Sequence, residues 1–215
     1  MKIKYRLIIV VIVFCMIIMG KKTIYAENQL EEEQNGFDLR LINYISAINE
    51  QEIKREVKVE TGELKNRTKS TADYKISKVP VAVENGDYIT FKFRIYNEGE
   101  KDIYVKEITE AIPDGLEFVY DNDITVTENG DLNFENSKDL TEKDKKAIEY
   151  NMSQLWTTKE TDQGTNKITK ISTEYLAKEN EISEKQTMVK AYNKEEEISY
   201  IEVGLMLKVV VRRRF

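Results

Sequence analysis

Between Tyr88 and Ile95 apolar and polar residues alternate without a break. Ile89, Phe91, Phe93 and Ile95 fall on one side of an extended chain, and Tyr88, Thr90, Lys92 and Arg94 on the other. Side chains of a strand alternate with period two, so this pattern predicts a strand buried on one face. Asn85-Gly86 opens it, Asn97-Glu98-Gly99 closes it and Pro113-Asp114-Gly115 supplies a further turn, because these residues fix or permit the φ values that tight turns need. The same alternation over residues 37–46 directs Phe37, Leu39, Leu41, Asn43 and Ile45 inward, with Asn43 the one polar residue on that side. From Ser199 onward Ile201, Val203, Leu205, Leu207, Val209 and Val211 share one face, and Tyr200, Glu202, Gly204, Met206, Lys208 and Val210 the other. A strand of that length is expected inside a sheet, paired on both sides. Ile103 and Val105 are in phase but Ile108 is not, so a β-bulge near Lys106 is expected to restore the register.

The intervening segments are less regular. Residues 54–73 are charged and short of large apolar side chains, which predicts a long loop with a weak strand near 57–59. Residues 140–150 lack Gly and Pro, and Thr141 is followed three positions later by Asp144, close to a capping box; a short helix is expected there. Trp156 is read as a plug in the core. Residues 157–164 are read as a polar loop, and 167–176 and 188–192 as short strands. Together these elements predict an all-β fold, an antiparallel β-sandwich over residues 37–215 with one short inserted helix. Residues 27–36, with three consecutive glutamates, form an acidic linker ahead of it.

Residues 1–26 carry Lys2, Lys4 and Arg6, then an apolar run over 7–20, then Lys21-Lys22 and a short stretch to Ala26. The run is shorter than the roughly 20 residues of a spanning helix, which is the pattern of a signal peptide cut after Ala26, or of an uncleaved N-terminal anchor. Cys15 lies inside the run and is read as one more apolar residue. Removing residues 1–26 takes away five basic residues and no acidic ones, leaving 28 Lys and Arg against 39 Asp and Glu, a formal charge of −11. Such a surface repels polyanions, so nucleic acid is not expected as a partner.

The chain has no histidine, and no cysteine after Cys15. That inventory excludes a disulfide, an imidazole or thiolate metal site, and Ser-His or Cys-His nucleophile pairs in the mature protein. Asp121-Asn122-Asp123 lacks the spaced ligands of a calcium loop and is read as a solvated turn. With 39 acidic residues, clusters such as Glu195-Glu196-Glu197 are no pointer to the paired carboxylates of a glycosidase. Asn66 and Asn151 stand in glycosylation sequons, and Arg212-Arg213-Arg214 is read as a solubilising end or the scar of a truncated reading frame. No catalytic residue, cofactor or metal is expected, and the chain is not expected to be an enzyme. Stability must come from the core, and about 180 residues suffice to bury more than half of the unfolded surface.

The blocks FDLRLINYIS, NGDYITFKFRIYNEG, ITEAIPDGLEFV and ISYIEVGLMLKVVV together resemble the surface repeats of Gram-positive, especially clostridial, bacteria known as domain of unknown function eleven, over about residues 37–211. The resemblance implies an immunoglobulin-like or fibronectin-like sandwich, one of several tandem copies forming a stalk on a cell-wall-attached protein, and it implies no active site. Related surface sandwiches of the isopeptide-pilin type carry an internal cross-link, made when a first-strand lysine attacks an Asn or Asp beside a buried acid. The resemblance places that lysine where this chain has Asn43, an amide that cannot act as the nucleophile. Glu110 matches the acid position, or is a solvated or loop-capping carboxylate. Lys92 and Lys208 fall on outward faces by alternation, so no cross-link is expected.

The function expected from these readings is that of a non-catalytic, secreted or cell-surface module that spaces, stiffens or joins larger assemblies of other surface repeats or envelope proteins. The alternative is an adhesion module binding a host or wall glycan or protein through its loops. Contact with a membrane would run only through residues 7–20. N-terminal sequencing of the secreted protein should give a chain starting at Glu27; a membrane-bound chain retaining Met1 would identify residues 7–20 as an anchor.

Overall fold

The computed structural model describes residues 24–26, 38–77, 80–137, 139–165, 167–174 and 188–210. Its strands are β1 (Ile24–Ala26), β2 (Leu39–Ile48), β3 (Gln51–Glu52), β4 (Val57–Glu60), β5 (Asp73–Ile76), β6 (Tyr88–Asn97), β7 (Ile103–Ala111), β8 (Leu116–Glu117), β9 (Thr125–Val126), β10 (Leu132–Asn133), β11 (Trp156–Thr161), β12 (Ile168–Glu174), β13 (Met188–Val189) and β14 (Tyr200–Val209); its helices are α1 (Gly62–Lys65) and α2 (Glu142–Ser153). The fold is all-β. One sheet runs β3-β2-β6-β14-β8, a second runs β1-β7-β12-β11 with β13 also on β7, and β4-β5 and β9-β10 form two small ribbons. The linker at 27–36, most of residues 1–26 and the arginines at 212–214 lie outside the described residues.

Alternation explains the first sheet. β6 pairs with β14 from Tyr200 opposite Tyr96 to Lys208 opposite Tyr88, and with β2 from Leu39 opposite Asn97 to Ile48 opposite Ile89. That register lines up Phe93 and Ile95 with Val203, Leu205 and Leu207. They meet Val105, Ile108, Trp156, Ile171 and Val189 of the second sheet in one cluster, each of these residues at most 2% exposed. The expected turns form: Asp87 N–H bonds Glu84 C=O, Leu116 N–H bonds Pro113 C=O, and Gly86 and Gly115 supply the positive φ. The expected bulge is present as well. β1 opposes Glu107 and then Val105, skipping Lys106, so Val105 and Ile108 both reach the core.

Four expectations need correction. Residues 157–164 are not a loop throughout: β11 pairs with β12, from Trp156 opposite Thr173 to Thr161 opposite Ile168. Its threonines are polar but β-branched, and they suit an extended edge. In residues 54–73 the strand expected near 57–59 is present as β4, paired in a ribbon with β5, but the segment also holds the one-turn helix α1, so α2 is not the only helix. β14 is paired along its length only with β6; β8 meets its other edge at Lys208 and Val209 alone. Finally, the alternation's polar face is not open to water, since Tyr88, Thr90, Tyr96 and Met206 on it are buried. Periodicity distinguishes two faces of a strand, but it cannot tell solvent from a second covering layer.

That layer consists of α2 at one end and the β4-β5 ribbon at the other. Thr141 caps α2 in a full capping box with Asp144, and the helix packs Ala147 and Ile148 against Tyr88 and Met206. The C-terminal end of α2 then closes the open edge of β14. Asn151 accepts from Met206 N–H at 2.8 Å and donates to Met206 C=O at 2.9 Å, Gln154 accepts from Gly204 N–H at 2.9 Å, and the Trp156 indole N–H donates to Gly204 C=O at 2.6 Å. Side chains thus satisfy backbone groups that a neighbouring strand would otherwise take.

Gly204 is required by this closure, because a Cβ there would overlap the Tyr150 hydroxyl. Gly204→Ala should therefore cost about 1–3 kcal/mol in chemical denaturation. In a Tyr150→Leu background the same change should cost much less, and equal costs in both backgrounds would show that the clash is not what selects glycine.

Candidate functional site

The outer face of β2, β6 and β14 carries the densest constellation of interacting polar groups. It is built around three acidic residues, each bridging separate elements. At the centre, Glu202 on β14 accepts from Arg94 Nε at 2.6 Å and from the Tyr44 hydroxyl at 3.1 Å, and pairs with Lys92 Nζ at 2.9 Å. β6 and β2 supply those partners, so one carboxylate ties three strands. At the ribbon end, the Glu98 side chain is fully buried. It accepts from Ala72 N–H at 2.8 Å, the Tyr74 hydroxyl at 2.8 Å, Thr71 Oγ1 at 3.2 Å and Arg40 Nε at 3.0 Å. At the helix end, Asp144 accepts from the Tyr88 hydroxyl, from Lys208 Nζ at 2.8 Å and from Thr141 N–H at 2.9 Å.

The electrostatics follow from these bonds. Burial alone would raise the Glu202 and Asp144 carboxyls, but hydrogen bonds from Arg94 and Lys92 hold Glu202 below its ordinary range. Those from Lys208, Thr141 and Tyr88 bring Asp144 down to about 2. The cations move the opposite way: burial opposes their charge, yet the bonds to Glu202 and Asp144 leave Lys92, Arg94 and Lys208 raised. Burial, reinforced by the Glu202 charge, pushes Tyr44 up to about 12. Carboxylates lowered in this way are weaker bases than free ones, which suits them to holding charge rather than exchanging protons.

An aromatic ladder crosses the same face. Tyr74 lies 5.0 Å from Tyr96 and Tyr96 lies 5.1 Å from Tyr200, whose outer ring is 45% exposed; the Arg94 guanidinium sits 4.6 Å above Tyr200. Beside α2 an open hollow of about 400 Å³ is lined by Glu50, Lys146, Glu149, Tyr150, Ser153 and Met206.

The residues weighed from the sequence fall in separate places. Asn43 is opposite Phe93 on the core-facing side of β2, and Glu110 is opposite Ile171 on β7, where alternation puts it with Ile108 and Ile112. Lys92 and Lys208 lie on the other side of the sheet from Asn43, held by Glu202 and Asp144. Asp121 and Asp123 form an exposed turn in which Asp123 N–H bonds Asp121 Oδ1, and Glu195–Glu197 are exposed on another. Asn66 is exposed at the end of α1, whereas Asn151 is 1% exposed and its amide is consumed by β14, so that sequon presents no free side chain. Trp156 is a core plug, 2% exposed against Phe93. Among the described residues no three His, Cys, Asp or Glu side chains cluster as a metal site, and no helix is long and apolar enough to cross a membrane.

Sequence reasoning left out Glu98, Asp144 as more than a cap, Glu202 and the tyrosine ladder. A signal existed for one of them: an acid at Glu202 shares its face with Lys92 and Arg94 once the two long strands are paired in register. The chain matches no protein-family model, no curated protein and no solved structure.

Asp144 makes a pH prediction. Its folded pKa is lowered from 3.8 to about 2, so its contribution is complete above about pH 4 and is lost as pH falls toward 2. The loss should be on the order of 2 kcal/mol in urea titrations across that window, by the linkage of shift to stability. Asp144→Asn should lower stability at pH 7 and flatten this acid limb; an unchanged slope would assign the acid sensitivity to other groups.

Proposed function

We propose that the chain is a non-catalytic, exported cell-envelope module that acts as a structural spacer of a bacterial surface protein, with its two sheets arranged as an immunoglobulin-like sandwich. The observation that carries this reading is where its buried and half-buried charges go. Glu98, Asp144 and Glu202 each fasten a covering element or a neighbouring strand to β6 or β14, and each is saturated by partners from within the fold. Charge buried in that way opposes local opening, because removing any one partner strands the others away from water. Rigidity of this kind is what a spacer requires. The basic start and apolar run of residues 1–26 and the resemblance to Gram-positive surface repeats support export to the envelope.

A second reading, adhesion, is favoured by one feature: the tyrosine ladder ends in an exposed ring flanked by a guanidinium, a surface suited to stacking on a sugar or a protein side chain. In that case Tyr200→Ala would abolish binding to glycans or host proteins while leaving the fold intact.

The deciding experiment is protease treatment of intact cells making the protein. Under the spacer reading the chain is found in the wall or medium fraction and is degraded or released from outside. A protease-protected chain in the cytosol would overturn it.

A further inference from the structure

The register of the central sheet fixes how the module would carry tension. β2 enters at Leu39, opposite Asn97, and runs to Ile48, opposite Ile89; β14 enters at Tyr200, opposite Tyr96, and leaves past Lys208, opposite Tyr88. Both strands are antiparallel to β6 and therefore parallel to each other. The start of β2 and the end of β14 lie at opposite ends of β6, about 30 Å apart at the rise of an extended strand. We infer that this arrangement is a shear clamp: a pull on the chain ahead of Leu39 and beyond Val209 slides β2 and β14 in opposite directions along β6, and every rung of the two ladders is loaded at once. The inference rests on the spacer reading above and adds to it the mode of loading.

Three observations make the clamp effective. The ladders are long, with nine register pairs between β6 and β14 and nine between β6 and β2. Their rungs are screened from water on the core side by Phe93, Ile95, Val203 and Leu205, none more than 1% exposed, so water cannot replace a rung until the strands have already moved. On the other face Glu202 joins Tyr44 of β2 and Lys92 and Arg94 of β6 to β14, and any slide must break these charged bonds too. The segment between β6 and β14, which holds α2 and β7, β11, β12 and β13 of the second sheet, is a closed loop in the chain bridged by the ladder, and tension applied at residues 38 and 210 bypasses it until the ladder fails.

Geometry supplies the test. A pull at one end of the same sheet would peel the strands and break rungs one after another, so the same fold should be weak in one direction and strong in the other. Full-length chains carrying Cys15→Ser receive handles in two placements. Asp38→Cys with Val210→Cys loads opposite ends. Glu50→Cys with Val210→Cys loads one end, where Asn49 N–H bonds Tyr88 C=O and Val209 N–H bonds Asp87 C=O. Asp38→Cys with Tyr200→Cys peels from the other end and replaces the second pair if Glu50→Cys alters the melting temperature.

In single-molecule pulling at one loading rate, the 38–210 pair should unfold at about twofold or greater force than either peeling pair, because forced unfolding reports the barrier along the direction pulled. Equal or lower force for the 38–210 pair would overturn the clamp. The force ratio is read on purified protein, whereas the spacer reading stands or falls on where the chain sits in the cell, so the two can fail separately.

Discussion

The structure depends on the hydrogen-bonded ladder between β6 and β14, and on the fact that both of its faces are covered over much of their length. A strand pair buried on one side satisfies its backbone and hides half its side chains; this one buries side chains on both faces. Phe93 and Leu205 face the second sheet, while Tyr88 and Met206 face α2. Once the ladder is in place, each other element finds its position by covering part of it. β2 takes the free edge of β6, α2 takes the free edge of β14, and the β4-β5 ribbon rests on Tyr96 through Tyr74.

Burying the polar face of an alternating strand creates an electrostatic problem. The cations Lys92, Arg94 and Lys208 sit where water is scarce, and each would be costly without a counter-charge. The fold answers by placing Glu202 and Asp144 within hydrogen-bonding distance of them, and Glu98 does the same for Arg40. These carboxylates also fix the geometry of the cover. The Asp144 that completes the α2 capping box also receives Lys208 and Tyr88, so the start of the helix can occupy only one place on the sheet.

The sequence made the core legible because its signal is local. Phe93, Ile95, Val203 and Leu205 alternate over uninterrupted runs, and the turns beside them carry residues with few other uses. The helix was legible from Thr141 and Asp144 for the same reason. The cover was not. Nothing in the alternation of Tyr88 to Ile95 distinguishes a tyrosine facing water from one facing a helix more than 50 residues away, as the Tyr88 to Asp144 bond does. β11 was missed because the threonines and charges of an edge strand resemble those of a loop, even though its pairing partner β12 follows directly in the chain. The site followed the same rule: Glu98 reads as a turn residue and Glu202 as an outward one until long-range pairing brings Ala72 and Arg94 to them.

The distance along the chain between the two halves of the central ladder has a kinetic consequence. β2 and β6 are made early and can pair while the chain is still emerging, but the pair is left with an open edge and half a core. Val203, Leu205 and Leu207, which close that core, belong to the last strand described. A chain that emerges N-terminus first therefore cannot complete this core until β14 has appeared. The β6–β14 ladder joins strands about 100 residues apart, and pairings of such long range are the slow ones to form.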